Sequence, residues 1–146
     1  MKYKFVGLVA ITLLLAGPAG ISLAQTQKDE VQKTTPTAKV LTLVDAAMCE
    51  DIKDYAPHFE AIIFSSTIGK LRCFTSFDPV PEKTFIIHRW FREDKLSSQK
   101  KLTLKPPRWS TFSSIQLREA DKGPWRVEIT GPEGKIFKIL RFSILD

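Results

Sequence analysis

Gly69-Lys70-Leu71-Arg72-Cys73-Phe74-Thr75-Ser76-Phe77 and Thr84-Phe85-Ile86-Ile87-His88-Arg89-Trp90-Phe91 are the two stretches that decide the fold. Both are rich in the aromatic and β-branched residues that fit a pleated surface. Asp78-Pro79-Val80-Pro81-Glu82-Lys83 lies between them and carries turn chemistry. The pair therefore reads as a hairpin with a longer loop, at the centre of a small all-β domain.

Outward from this pair, the pattern stays that of strands. Val40 to Val44 reads as a first strand, and Ala61-Ile62-Ile63-Phe64 as a short apolar one. Asp45 to His58 is irregular, with room for a helical turn over Met48 to Tyr55 before Pro57 stops it. Lys101 to Lys105 alternates polar and apolar, the mark of a half-buried strand. Trp109 to Leu117 alternates loosely, with Trp109, Thr111, Ser113 and Ile115 on one side. Trp125 to Thr130 alternates cleanly and points Trp125, Val127 and Ile129 inward. Lys135 to Leu145 closes the domain. About seven to eight short strands separated by turns, with no sustained 3.6-residue period, predict an antiparallel β-sandwich of immunoglobulin-like size. A small β-barrel is the alternative architecture.

The chain has 146 residues, room for one domain. Hydrophobic residues make up 43% and charged ones 26%, which suits a packed core and argues against wholesale disorder. The N-terminus has the pattern of a secretory signal: basic Lys2 and Lys4, an apolar run from Phe5 to Ala16, helix breakers Gly17, Pro18 and Gly20, and small residues at Ser22 and Ala24. Residues 1–24 are therefore expected to be a signal peptide, with an uncleaved membrane anchor as the alternative. No cysteine stands behind the apolar run to take a lipid. Residues 25–37 are polar and read as a flexible linker, and the folded domain is expected over 38–146. The formal charge is +6; without Lys2 and Lys4 it falls to +4, a mild bias. Export to a periplasmic or secreted location follows from the signal, and it disfavours a nucleic-acid partner.

Few residues suggest chemistry. Cys49 and Cys73 are the two cysteines and lack Cys-x-x-Cys spacing. In an exported chain they are expected to form a structural disulfide, contributing about 3–4 kcal/mol on a loop-entropy basis; two free buried thiols are the alternative. His58 and His88 have no metal-ligand spacing, so neither a metal nor a cofactor is expected. His88 alternates with Ile86 and Trp90, which reads as a packed, hydrogen-bonded histidine. Ser110-Thr111-Phe112-Ser113-Ser114 is hydroxyl-rich but contains no nucleophile elbow. The tryptophans read either as core anchors or as a stacking platform for sugars. On the second reading Trp109, Arg108, Trp90 and His88 are the ligand-binding candidates.

Several landmarks occur in order: Ala47-Met48-Cys49, Gly69 to Thr75, Ile87-His88-Arg89-Trp90, Pro107 to Ser114 and Gly123 to Glu128. In this order the chain resembles the bacterial domain-of-unknown-function family numbered 2914, over roughly residues 40–145. Phe112 stands where that family often has tryptophan. The resemblance implies an envelope-associated β domain and supplies no catalytic residues. The expectation is a non-catalytic, exported binding or protein-interaction module whose partner is an envelope protein or a glycan, with any membrane contact confined to the N-terminal segment. A carbohydrate- or peptidoglycan-binding module using exposed Trp and Arg is one alternative. A hydrolase using His88 beside a hydroxyl or acid is the other.

Overall fold

The structure, a computed structural model, describes residues 38–146. The signal peptide and linker expected over 1–24 and 25–37 lie outside them. The described residues form nine strands: β1 (Leu43–Lys53), β2 (Ala56–Glu60), β3 (Ile63–Ser65), β4 (Lys70–Phe77), β5 (Thr84–Arg92), β6 (Lys95–Leu104), β7 (Trp109–Gln116), β8 (Gly123–Thr130) and β9 (Ile136–Leu145). One sheet has the order β2-β1-β4-β7 and the other β3-β9-β8-β5-β6. All pairings are antiparallel except β3 with β9, which is parallel. The result is a two-sheet sandwich, not the closed barrel, and it has nine strands where seven to eight were expected.

The core lies between the sheets and follows the period of two. Met48, Leu71, Cys73 and Phe77 fill it from the first sheet. Ile86, Trp90, Val127, Ile129, Phe142 and Ile144 fill it from the second. The inward set Trp125, Val127 and Ile129 is buried as the alternation predicts. Phe142 joins the two buried indoles, edge-on to Trp90 and stacked on Trp125.

The expected hairpin does not form. β4 pairs with β1 and β7, whereas β5 pairs with β6 and β8, so the segment 78–83 crosses from one sheet to the other. Two prolines prevent a tight turn, and Val80 enters the core with its N–H donated to the Pro107 carbonyl at 2.7 Å. This crossing aligns β4 and β5 face to face across the sandwich, which sets up the polar cluster described below.

The segment 45–58, read as irregular, is instead most of β1 and the start of β2. Their connection at Asp54-Tyr55 has φ of 49° and 61°, and Glu93-Asp94 between β5 and β6 has 44° and 63°. These are two-residue turns with both central residues left-handed, the geometry that matches strand twist. Neither contains the glycine or asparagine that ordinarily marks such a turn in sequence.

The disulfide is also absent: Cys49 and Cys73 are free and buried. The register explains why. Cys73 faces Met48 across β1–β4, so Cys49 is one residue out of phase. Successive side chains point to opposite faces of a sheet, so Cys73 enters the core and Cys49 projects from the other face. Burial pushes the Cys49 thiol up to about 11 and raises that of Cys73 further.

Candidate functional site

The crossing of 78–83 brings β4 and β7 of one sheet over β5 of the other. Thr75, Ser113, His88 and Trp90 all point into the gap, and all are buried. Trp90 Nε1 donates to Ser113 Oγ at 3.0 Å. Ser113 Oγ lies 2.8 Å from His88 Nδ1. His88 Nε2 lies 3.3 Å from Thr75 Oγ1, which donates to the Thr111 carbonyl at 3.4 Å.

The donors fix one arrangement of protons. An indole N–H only donates, so Ser113 Oγ accepts from Trp90. Thr75 Oγ1 gives its own proton to the Thr111 carbonyl and so accepts from His88 Nε2, which leaves Nδ1 without a proton and able to accept from Ser113 Oγ. The imidazole proton sits on Nε2 and is directed at Thr75. Every member has a partner, so the cluster stitches the two sheets together without an orphaned polar group. Burial lowers the His88 pKa to about 4, which keeps the ring neutral near neutrality.

A serine hydroxyl against a histidine nitrogen is the contact that hydrolases use. Here the pair faces the interior: His88 is fully buried and Ser113 nearly so. The hydrolase reading required His88 in a cleft, and the fold places it in the core. The cluster is a structural tie between sheets.

The ligand-binding candidates separate. Trp90 and His88 are core residues, contrary to their assignment to a binding surface, because both share the inward phase of β5 with Ile86. Arg108 is exposed and Trp109 is half-buried beside Lys105, whose Nζ lies 5.4 Å from the indole ring. Trp125 is buried and donates its Nε1 to the Asp121 carbonyl at 2.7 Å. A sugar platform needs two tryptophans on one solvent-facing patch; Trp90 has no exposed surface and Trp125 very little, which leaves Trp109. Among the described residues no group of three or more His, Cys, Asp and Glu is placed to hold a metal ion.

A surface feature that the sequence reading did not single out lies on the opposite edge of the sandwich. β2 covers β1 only from Cys49 onward, and β3 covers β9 only from Ser143 onward. Among the described residues, the first halves of β1 and β9 therefore have no strand on their outer edges. These two edges adjoin across the sandwich, and Lys138 Nζ reaches the Ala46 carbonyl at 3.4 Å. Two grooves run along this seam. One, of about 440 Å³, is lined by Val40 to Ala46 and Lys135 to Lys138. The other, of about 380 Å³, is lined by Ala46 to Met48, Glu60 to Ile62, Leu140 and Arg141. Val40, Val44, Ile62, Ile136 and Ile139 are exposed beside them, Ile62 at 72% and Val44 at 57%. The signal for this seam was present as the long apolar run of β9, but its lack of a neighbour is a property of topology.

Residues 83–144, from β5 through most of β9, match the model of a family described as "Protein of unknown function (DUF2914)". The resemblance drawn from the sequence holds over this stretch; Ala47-Met48-Cys49 and Gly69 to Thr75 lie upstream of it. No curated protein matches the chain.

Proposed function

We propose, from the premise that residues 83–144 belong to the DUF2914 family, that this chain is a non-catalytic interaction module exported to the cell envelope, and that it binds another protein at the β1–β9 seam. The observation that carries this reading is the seam itself. It combines two uncovered strand edges, two adjoining grooves and a concentration of exposed aliphatic side chains. Contiguous apolar surface kept in water marks an interaction site. The side chains with chemical potential, Ser113 and His88, are meanwhile satisfied by one another in the core.

The other side of the sandwich supplies the contrast. There the β6 edge presents Ser97, Ser98, Gln99 and Lys100, a polar edge of the kind that discourages pairing. The reading is tested by placing a photoreactive benzoylphenylalanine at Ile139 or at Gln99 in the cell that makes the protein. Irradiation is expected to give adducts of discrete mass from Ile139 and none from Gln99. Adducts from neither position, or equally from both, would overturn the seam as the binding face.

A further inference from the structure

We propose that the partner enters the seam as an added strand along β9: an extended segment of another protein with apolar side chains at alternate positions and acidic ones between them. This inference rests on the reading of the chain as an interaction module and names the chemistry of what it binds.

The lane for such a strand is already begun. β3 runs beside β9 for three residues, Ile63 to Ser65, with Ser143 N–H donated to the Ile62 carbonyl at 2.9 Å. Backbone groups alternate sides along a strand, so Arg141 and Ile139 direct their N–H and C=O groups into the same lane. Leu140 and Phe142 direct theirs toward β8. Below β3 the lane has no strand among the described residues. An extended chain placed there meets unpaired donors and acceptors in register, the basis of recognition by strand addition.

The side chains set the composition. On an added strand, every second side chain turns inward, toward the grooves lined by Leu43, Ala46, Met48, Phe137 and Leu140. Those positions take aliphatic residues. The β9 lip is basic: Arg141 projects from the face opposite Leu140, Lys135 lies just before the strand, and the strand contains no acid, while Lys138 shares the inward phase of Leu140 and reaches the Ala46 carbonyl. Asp45 and Glu60 lie on the far lip, contributed by β1 and β2. The side chains that lean toward β9 are therefore acidic. The same charge selects against a second copy of this chain, since pairing β9 with itself would bring the Arg141 side chains of two molecules onto one face.

The test is a fluorescence-anisotropy titration of the chain with a labelled peptide that alternates valine with glutamate, and with its counterpart that alternates valine with lysine. The glutamate peptide is expected to bind saturably, with affinity on the order of tenfold or more above the lysine peptide. Lys135→Glu combined with Arg141→Glu is expected to reverse that order. Methylating the backbone nitrogens of the glutamate peptide at alternate residues leaves the protein untouched and is expected to abolish binding. Ile139→Pro removes the N–H that faces the lane, and it is expected to weaken binding on the order of tenfold while the melting temperature is held. Equal binding of both peptides, binding of the methylated peptide, or binding of neither overturns the inference. Photo-adducts at Ile139 without peptide binding overturn strand addition alone. A dimer in sedimentation that the peptide does not dissociate assigns the edge to a second copy and overturns it too.

Discussion

Replacing Ser113 with alanine removes one oxygen from the centre of the sandwich and leaves the carbon packing intact. The loss falls on two partners. Trp90 Nε1 loses its acceptor and His88 Nδ1 loses its donor, and both residues are fully buried. Each buried group left unsatisfied costs about 1–3 kcal/mol, so Ser113→Ala should destabilise the domain by roughly 2–5 kcal/mol. That is a large share of the roughly 5–15 kcal/mol by which a domain is stable. For a domain of this size the melting temperature should fall by roughly 10–20 °C. The matched control is Ser110→Ala. Ser110 Oγ donates to Ser76 Oγ at 2.9 Å on the partly exposed face of the same strands, where water replaces the lost partner, and the cost should stay within about 1 kcal/mol. Urea unfolding of the two variants, with Trp90→Phe added to each, completes the comparison. Phenylalanine has no N–H to orphan, so Trp90→Phe should cost less in the Ser113→Ala background than in the parent chain, with a coupling of about 1 kcal/mol or more. A Ser113→Ala variant as stable as Ser110→Ala, or two substitutions that simply add, would refute the closed cluster.

The remaining predictions follow from other parts of the same fold. His88 is held neutral, with its pKa lowered to about 4 from 6.5. Below pH 6.5 the unfolded chain binds a proton that the folded chain refuses, so stability should fall as pH drops from 6.5 toward 4, by up to about 3 kcal/mol; His88→Gln should flatten that part of the profile, and an unchanged slope would count against it. Cys49 and Cys73 lie on opposite faces of one sheet, so unfolding without reductant should release two titratable thiols per chain, both slow to react while the domain is folded; no thiol released would mean that a disulfide has formed. Tyr55 holds a φ of 61° in an exposed two-residue turn, and Tyr55→Gly should raise stability by about 0.5–1 kcal/mol in thermal unfolding by relieving the left-handed strain.

How much of this was legible before the structure varied with what each feature depends on. β8 was plain because Trp125, Val127 and Ile129 alternate with polar residues, and one face of the strand meets the core. His88 was read as packed because it shares its phase with Ile86 and Trp90, and Ser113 was placed on one side of its strand with Trp109, Thr111 and Ile115, without a choice of which side faced the core. That the two would meet at 2.8 Å depends on β5 and β7 belonging to opposite sheets, which no local pattern encodes. The hairpin expected between β4 and β5 failed for the same reason: two strand signals with a turn between them look alike whether the turn folds back or crosses over. β1 was hidden because Asp45, Glu50 and Asp51 interrupt its apolar phase, and its turn at Asp54-Tyr55 lacks a glycine. The disulfide expectation rested on cysteine count and compartment. A single-residue offset in register decided against it. The seam is a consequence of the shortness of β2 and β3, which leaves longer neighbours uncovered.

Amide hydrogen exchange along β9, measured with and without the valine–glutamate peptide, tests strand addition at single residues. The account predicts that exchange slows at Ile139 and Arg141, whose N–H groups face the open lane, and is unchanged at Leu140 and Phe142, already bonded to β8. Protection spread evenly over all four amides, or none at any of them, would contradict it.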